Sequence, residues 1–193
     1  MRHICLLLLL SSLVCNAQAE QERVGDWQFD TRSVNGSYSA SSSSASGLFG
    51  DSRLVLSASP QKQGPCQVQL GYSLFGPYAI SLKGRSLLAR VDRDSLRQVK
   101  FSSEQSGRTR DGVKFTTGFI DLDDRAAQEL VVEMLEGKWL RLRLDEKSPI
   151  DRFPLYGFSR AARATLYFCK TPNAKDRYPL DVLLKKQDDA DYF

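Results

Sequence analysis

Apolar and polar residues alternate through the first two thirds of the chain, and that pattern predicts short strands. Trp27-Gln28-Phe29-Asp30-Thr31 repeats with a period of two, and Arg53-Leu54-Val55-Leu56-Ser57 is rich in strand formers. Between them lies the serine-rich run Ser37 to Ser46. Serine and alanine alternate there around Tyr38 without proline, which favours a polar strand over a low-complexity linker. Gly47-Leu48-Phe49-Gly50 reads as a turn. Cys66-Gln67-Val68-Gln69-Leu70 places Cys66, Val68 and Leu70 on one face, which should be buried. The stretch 71–78, punctuated by glycine and proline, reads as an aromatic loop presenting Tyr72, Phe75 and Tyr78. Three further strands are predicted at 87–92, 97–102 and 113–117, separated by charged or glycine-bearing turns.

The period changes near residue 123. Ala126, Ala127, Leu130, Val131, Met134 and Leu135 recur at three- and four-residue spacing, predicting a helix over 123–136 with acidic residues at its start and Gly137 at its end. Alternation returns at 139–144, where Leu140, Leu142 and Leu144 face one way and Trp139, Arg141 and Arg143 the other. A short strand at 152–156 then leads into a second helix over 159–168. Ala161, Thr165 and Cys169 fall at four-residue spacing, so this helix turns Cys169 toward the core. The predicted fold is mainly β with α+β character: an antiparallel sheet or sandwich with two helices near the C-terminal end.

The first residues change the chemistry that is open to the rest. Met1-Arg2-His3, the apolar run 4–10 and Ala17-Gln18-Ala19 form the pattern of a cleavable signal peptide, with cleavage expected after Ala19. The apolar run is too short to span a bilayer. Val14 before Cys15 disfavours a lipidated cysteine, where a small residue normally precedes. The expected organisation is a signal peptide over 1–19, a single β-rich domain over 20–170, and a tail or edge strand over 171–193. Cleavage removes the sole histidine, His3, and with it Ser-His-Asp, Cys-His and histidine-zinc designs. It also removes Cys5 and Cys15. Cys66 and Cys169 then remain as one expected disulfide, against the alternatives of two free thiols or a bridge between subunits. No CxxC motif is present to support a thiol oxidoreductase. Without Arg2, 26 basic residues face 23 acidic ones, a balance that gives no reason to expect nucleic acid.

Three groups of side chains offer candidate chemistry. The carboxylates of Asp121-Leu122-Asp123-Asp124 could ligate calcium, but acids at a helix start are explained by capping and by the helix dipole. Asp92, Asp94, Glu104 and Asp111 could supply a carboxylate pair for glycoside hydrolysis; each falls at a predicted turn or strand end, where solvation accounts for it. Trp139, Arg141 and Arg143 on one strand face suit an anionic or sugar-bearing partner through forked hydrogen bonds and stacking. A solvated face with arginine stems covering Trp139 is the plainer alternative. Tyr72, Phe75 and Tyr78 form either a contact loop or a small satellite core. No catalytic residue, metal ligand or cofactor is assigned.

The segment Phe153-Pro154-Leu155-Tyr156-Gly157-Phe158-Ser159-Arg160-Ala161, followed by a helix ending in Cys169, resembles the C-terminal signature of small exported bacterial proteins. These include the invasion-associated locus B family and the type VI secretion accessory family called VasI. Gly25-Asp26-Trp27, the cysteine strand and Phe119-Ile120 before a helix sit in similar order, so the resemblance covers about residues 24–169. It implies a β-rich periplasmic fold without known catalytic residues. The serine run and the tail depart from the pattern. The functional expectation is a periplasmic, non-enzymatic accessory or binding protein acting through protein contacts in the cell envelope, with secretion machinery as one setting. The alternatives are a periplasmic inhibitor or immunity protein against a toxin or lytic enzyme, and a hydrolase using carboxylates alone. Oligomeric state is not legible.

Overall fold

Period-two segments joined by short turns build two antiparallel sheets, and the two helical segments pack against them. The computed structural model describes residues 21–44, 52–62 and 66–170. The expected signal peptide, the 47–50 turn and the 171–193 tail lie outside the described residues. In chain order the elements are β1 (Gln21–Val24), β2 (Trp27–Asp30), β3 (Tyr38–Ser43), β4 (Arg53–Ser59), β5 (Gln67–Phe75), β6 (Ser86–Val91), β7 (Arg97–Lys100), β8 (Ser103–Arg108), β9 (Lys114–Asp121), α1 (Arg125–Glu136), β10 (Trp139–Arg143), β11 (Asp151–Pro154) and α2 (Phe158–Lys170). The larger sheet has the order β1-β2-β3-β4-β5-β9-β8 and the smaller one β11-β10-β6-β7. The fold is therefore mainly β, two open antiparallel sheets in a sandwich-like arrangement with two helices.

Within the serine run, Tyr38–Ser43 forms a strand, β3, as the alternation predicts: Tyr38, Ala40 and Ser42 are buried while Ser39 and Ser41 are half-buried; residues 45 and 46 lie outside the described residues. The aromatic loop is corrected in part. Residues 71–75 continue β5, pairing from Phe75 with Phe115 through Gly71 with Phe119, so the strand runs nine residues and only Gly76–Tyr78 forms a tight 3-10 turn. β5 lies inside the sheet between β4 and β9, and a central strand buries even its glycine and serine positions; the turn residues of 71–75 are poor local signals there. β1 and β8 carry no alternation and were not expected. Both are edge strands, and β8 (Ser-Glu-Gln-Ser-Gly-Arg) faces solvent along most of its length.

Buried side chains form one continuous cluster that includes Trp27, Phe29, Leu56, Leu70, Val91, Leu140, Phe153, Phe158 and Phe168. α2 lies over β2, β3 and β4, whereas α1 packs on β6 and β7 and meets α2. Asp124 caps α1, its side chain accepting from the Ala127 amide at 3.1 Å. Arg97 on β7 ties α1 down by pairing with Glu129 and Glu133.

Three links hold the sheets and helices in place. The Trp27 indole donates to the Pro154 carbonyl at 3.0 Å and its ring sits 4.7 Å from that of Phe158. Tyr72 donates to the fully buried Asp151, joining the centre of the large sheet to the edge of the small one. Cys66, just before β5, is bonded to Cys169 in the last turn of α2, with Cα atoms 6.4 Å apart across 103 residues of sequence. Closing so long a loop stabilises the fold by about 4–5 kcal/mol in the chain-entropy account.

Candidate functional site

The inner face of the small sheet is apolar: Leu87, Ala89, Val91, Val99, Leu140, Leu142 and Phe153 are all buried. Alternation then obliges the neighbouring residues to face outward, away from that core. On β10 these are Trp139, Arg141 and Arg143, the set singled out from the sequence. Trp139 is 40% exposed, and the two arginines are half-buried along their stems.

Register adds what one strand cannot reveal. Arg141 lies directly opposite Arg152 of β11 on one side and Arg90 of β6 on the other. Three arginines therefore stand in one row across three adjacent strands, with Arg143 two residues along. Strands in a sheet are about 4.8 Å apart, and like charges placed directly opposite each other are destabilising. Two guanidinium groups about 7 Å apart in water repel by about 0.6 kcal/mol before salt screening.

No carboxylate among the described residues forms an ion pair with this row; the ion pairs run from Arg97 to Glu129 and Glu133, and from Arg125 to Glu129. Asp92 stands at the end of β6, but its carboxylate accepts from the Lys138 and Trp139 amides at 2.8 and 3.0 Å. Only its backbone carbonyl meets the row, accepting from Arg141. Asp92 adopts a φ of 42° in the turn that leads from β6 to β7. The acid serves the turn, and among the described residues no carboxylate is ion-paired to the row.

A cavity of about 180 Å³ opens on this face beside Arg90, Arg141 and Arg143, with Leu88, Leu96 and Ile150 as its apolar wall. Leu88 is opposite Arg143, and Leu96 and Ile150 immediately precede β7 and β11. Leu96 and Ile150 are 49% and 41% exposed. Trp139 shares the face, opposite Pro154, but does not line the cavity. Arg90 and Arg152 were missed from the sequence. Each is outward-facing in an alternating strand, yet nothing local announces that they align with Arg141.

The other candidates are dispersed. Tyr72 is buried in β5, so it is withdrawn from any contact loop; burial and the neighbouring Asp151 push its phenol well above the usual range. Phe75 packs near Phe115 and under Arg53, and Tyr78 is exposed in the turn that follows. Glu104 accepts from the Leu82 and Lys83 amides at 2.7 and 2.9 Å and from Ser81. The Lys83 and Leu82 amides hold its carboxyl below the usual glutamate range.

Asp121 accepts from Gln69 at 2.7 Å and, with Asp123, borders a second cavity of about 670 Å³ walled by Val68, Leu122, Val131 and Leu166. Among the described residues no group of three or more potential metal-ligating side chains comes together. No described helix is long and apolar enough to cross a membrane.

Guanidinium groups are permanently charged, present several N–H donors in a fixed fork, and are not deprotonated at physiological pH. A row of them beside apolar residues can hold an anion; it is ill suited to general acid or base work. Compared with protein-family models, with curated proteins and with solved structures, the chain matches none.

Proposed function

We propose that the chain is a non-enzymatic accessory or binding protein of the periplasm, exported by its N-terminal segment, which engages an anionic protein partner in the cell envelope through the outer face of the small sheet. The observation that carries this reading is the row Arg152, Arg141 and Arg90, set in register with no carboxylate ion-paired to it among the described residues. A protein surface that only needs solubility gains nothing from cations placed directly opposite one another, since the arrangement opposes folding. An acidic partner reverses the sign: each carboxylate brought to the row relieves repulsion and adds charge-assisted hydrogen bonds. The Cys66–Cys169 disulfide is compatible with an oxidising compartment, and the likeness to the locus B and VasI families points to the same setting.

The binding arm of the test uses the purified chain and soluble polyglutamate. Trp27 is buried and Trp139 is 40% exposed, so a change in indole fluorescence on titration reports Trp139. Binding should weaken steeply with salt and be lost in R90Q/R152Q. Equal binding by that variant would overturn the reading. For export, N-terminal sequencing of chain recovered from the periplasmic fraction should begin at Glu20; recovery of an uncleaved cytosolic chain would overturn the compartment.

A further inference from the structure

The outer face of the small sheet carries more than charge. Two rows run across it: Arg152, Arg141 and Arg90 in one, and Arg143, Leu88 and Gln98 in the next, with Ile150 preceding β11 and Leu96 preceding β7. Cationic and aliphatic side chains are thereby interleaved around the 180 Å³ cavity. A site that selected only by charge would not set Leu88, Leu96 and Ile150 among its cations, because exposed aliphatic groups weaken solvation without attracting an anion.

The geometry points to an acidic peptide segment with one aliphatic or aromatic anchor as the ligand: the anchor enters the cavity between Leu88, Leu96 and Ile150, and flanking carboxylates are gripped by Arg90, Arg141 and Arg143. The cavity has room for a single such side chain, since one water occupies about 30 Å³ of liquid. It is far too small for the acyl chain of a lipid. Guanidinium forks match carboxylates in a bidentate manner, and an apolar anchor in a pocket ringed by polar contacts is the common layout of an energetic hot spot. This inference rests on the proposed function and sharpens it, because it names the chemistry of the partner.

The test compares two peptides on the full chain, acetyl-Glu-Glu-Leu-Glu-Glu-amide and the same peptide with serine at the centre, together with phosphatidylglycerol vesicles. The leucine peptide should bind about tenfold more tightly than the serine peptide, equivalent to about 1.4 kcal/mol. In I150S/L96S, two exposed positions where substitution spares the core, that preference should vanish while binding of polyglutamate persists. R143Q should weaken both peptides.

Equal affinity for the two peptides in the unmodified chain would overturn the anchor and leave the anionic-partner reading standing. Failure of both peptides and of polyglutamate would overturn both. Preferential binding to the vesicles would overturn a peptide partner.

Discussion

Replacing Gly157 by alanine tests how the N-terminal turn and the β11-to-α2 turn are held together. Gly157 has a φ of +90°, and a Cβ built on it would lie 2.1 Å from the Val24 carbonyl oxygen. Contacts under 3.0 Å are essentially never seen, so the two backbones would have to part by about 0.9 Å. Gly25 is the reciprocal half, with a φ of +59° and the Tyr156 carbonyl 2.4 Å from its virtual Cβ, and the crossing is closed by the Asp26 amide donating to that carbonyl at 2.9 Å.

An alanine at such a φ costs about 1–3 kcal/mol, and the loss of the hydrogen bond adds about 0.5–1.5 kcal/mol. The total, about 1.5–4.5 kcal/mol, corresponds to a fall in Tm of about 3–18 °C for a domain of this size. Gly112 is the internal control. Its φ is +81° but nothing lies within 4 Å of its virtual Cβ, so G112A carries the conformational cost alone. Thermal unfolding followed by far-UV circular dichroism on both variants separates the two contributions. If G157A is no less stable than G112A, the close crossing contributes nothing and the reasoning fails.

Other consequences follow from the same structure. C66S/C169S should lose about 4–5 kcal/mol in denaturant unfolding, and the intact chain should weigh two hydrogens less than its reduced form in non-reducing mass spectrometry; the heavier mass would refute the bridge. Y72F strips the Asp151 carboxylate of its donor where its other oxygen already has none, and should cost about 2–4 kcal/mol. D151N, which keeps an acceptor for Tyr72 without a buried charge, should be milder, and the reverse order would refute the account.

Glu104 has a lowered folded pKa, caused first by the Lys83 amide, then by the Leu82 amide. Its contribution is fully present above the ordinary glutamate value near 4.5 and is lost as pH falls through the lower folded value. The amide resonances of Leu82 and Lys83 should accordingly titrate below pH 4.5, and a midpoint at or above it would contradict the contact. D124A should remove the α1 cap at a cost of about 1 kcal/mol; an unchanged Tm would show that the bond from Ala127 does not hold the helix start.

Periodicity determined most of the elements by itself. β2, β4, β6, β10 and both helices follow from which positions are apolar, because burying one face of a strand or helix demands that spacing wherever the element ends up. It also determined that Trp139, Arg141 and Arg143 face away from Leu140 and Leu142, and it set Cys66 and Cys169 on core-facing sides. Only the tertiary structure decided the edge strand β8, whose polar residues are extended because β9 offers them hydrogen bonds, and the continuation of β5 through Gly71, where flanking strands override local turn signals. The same holds for Tyr72, which the sequence left open between a contact loop and a small satellite core and which meets Asp151, 79 residues away, in the main core. The candidate site divides along the same line. Alternation sends each arginine outward strand by strand, but the row of Arg152, Arg141 and Arg90 arises from register, which sets Arg141 beside Arg152 eleven residues on and beside Arg90 fifty-one residues back. Strand order and register are set by long-range hydrogen bonding and packing, and no local pattern of hydrophobicity contains them.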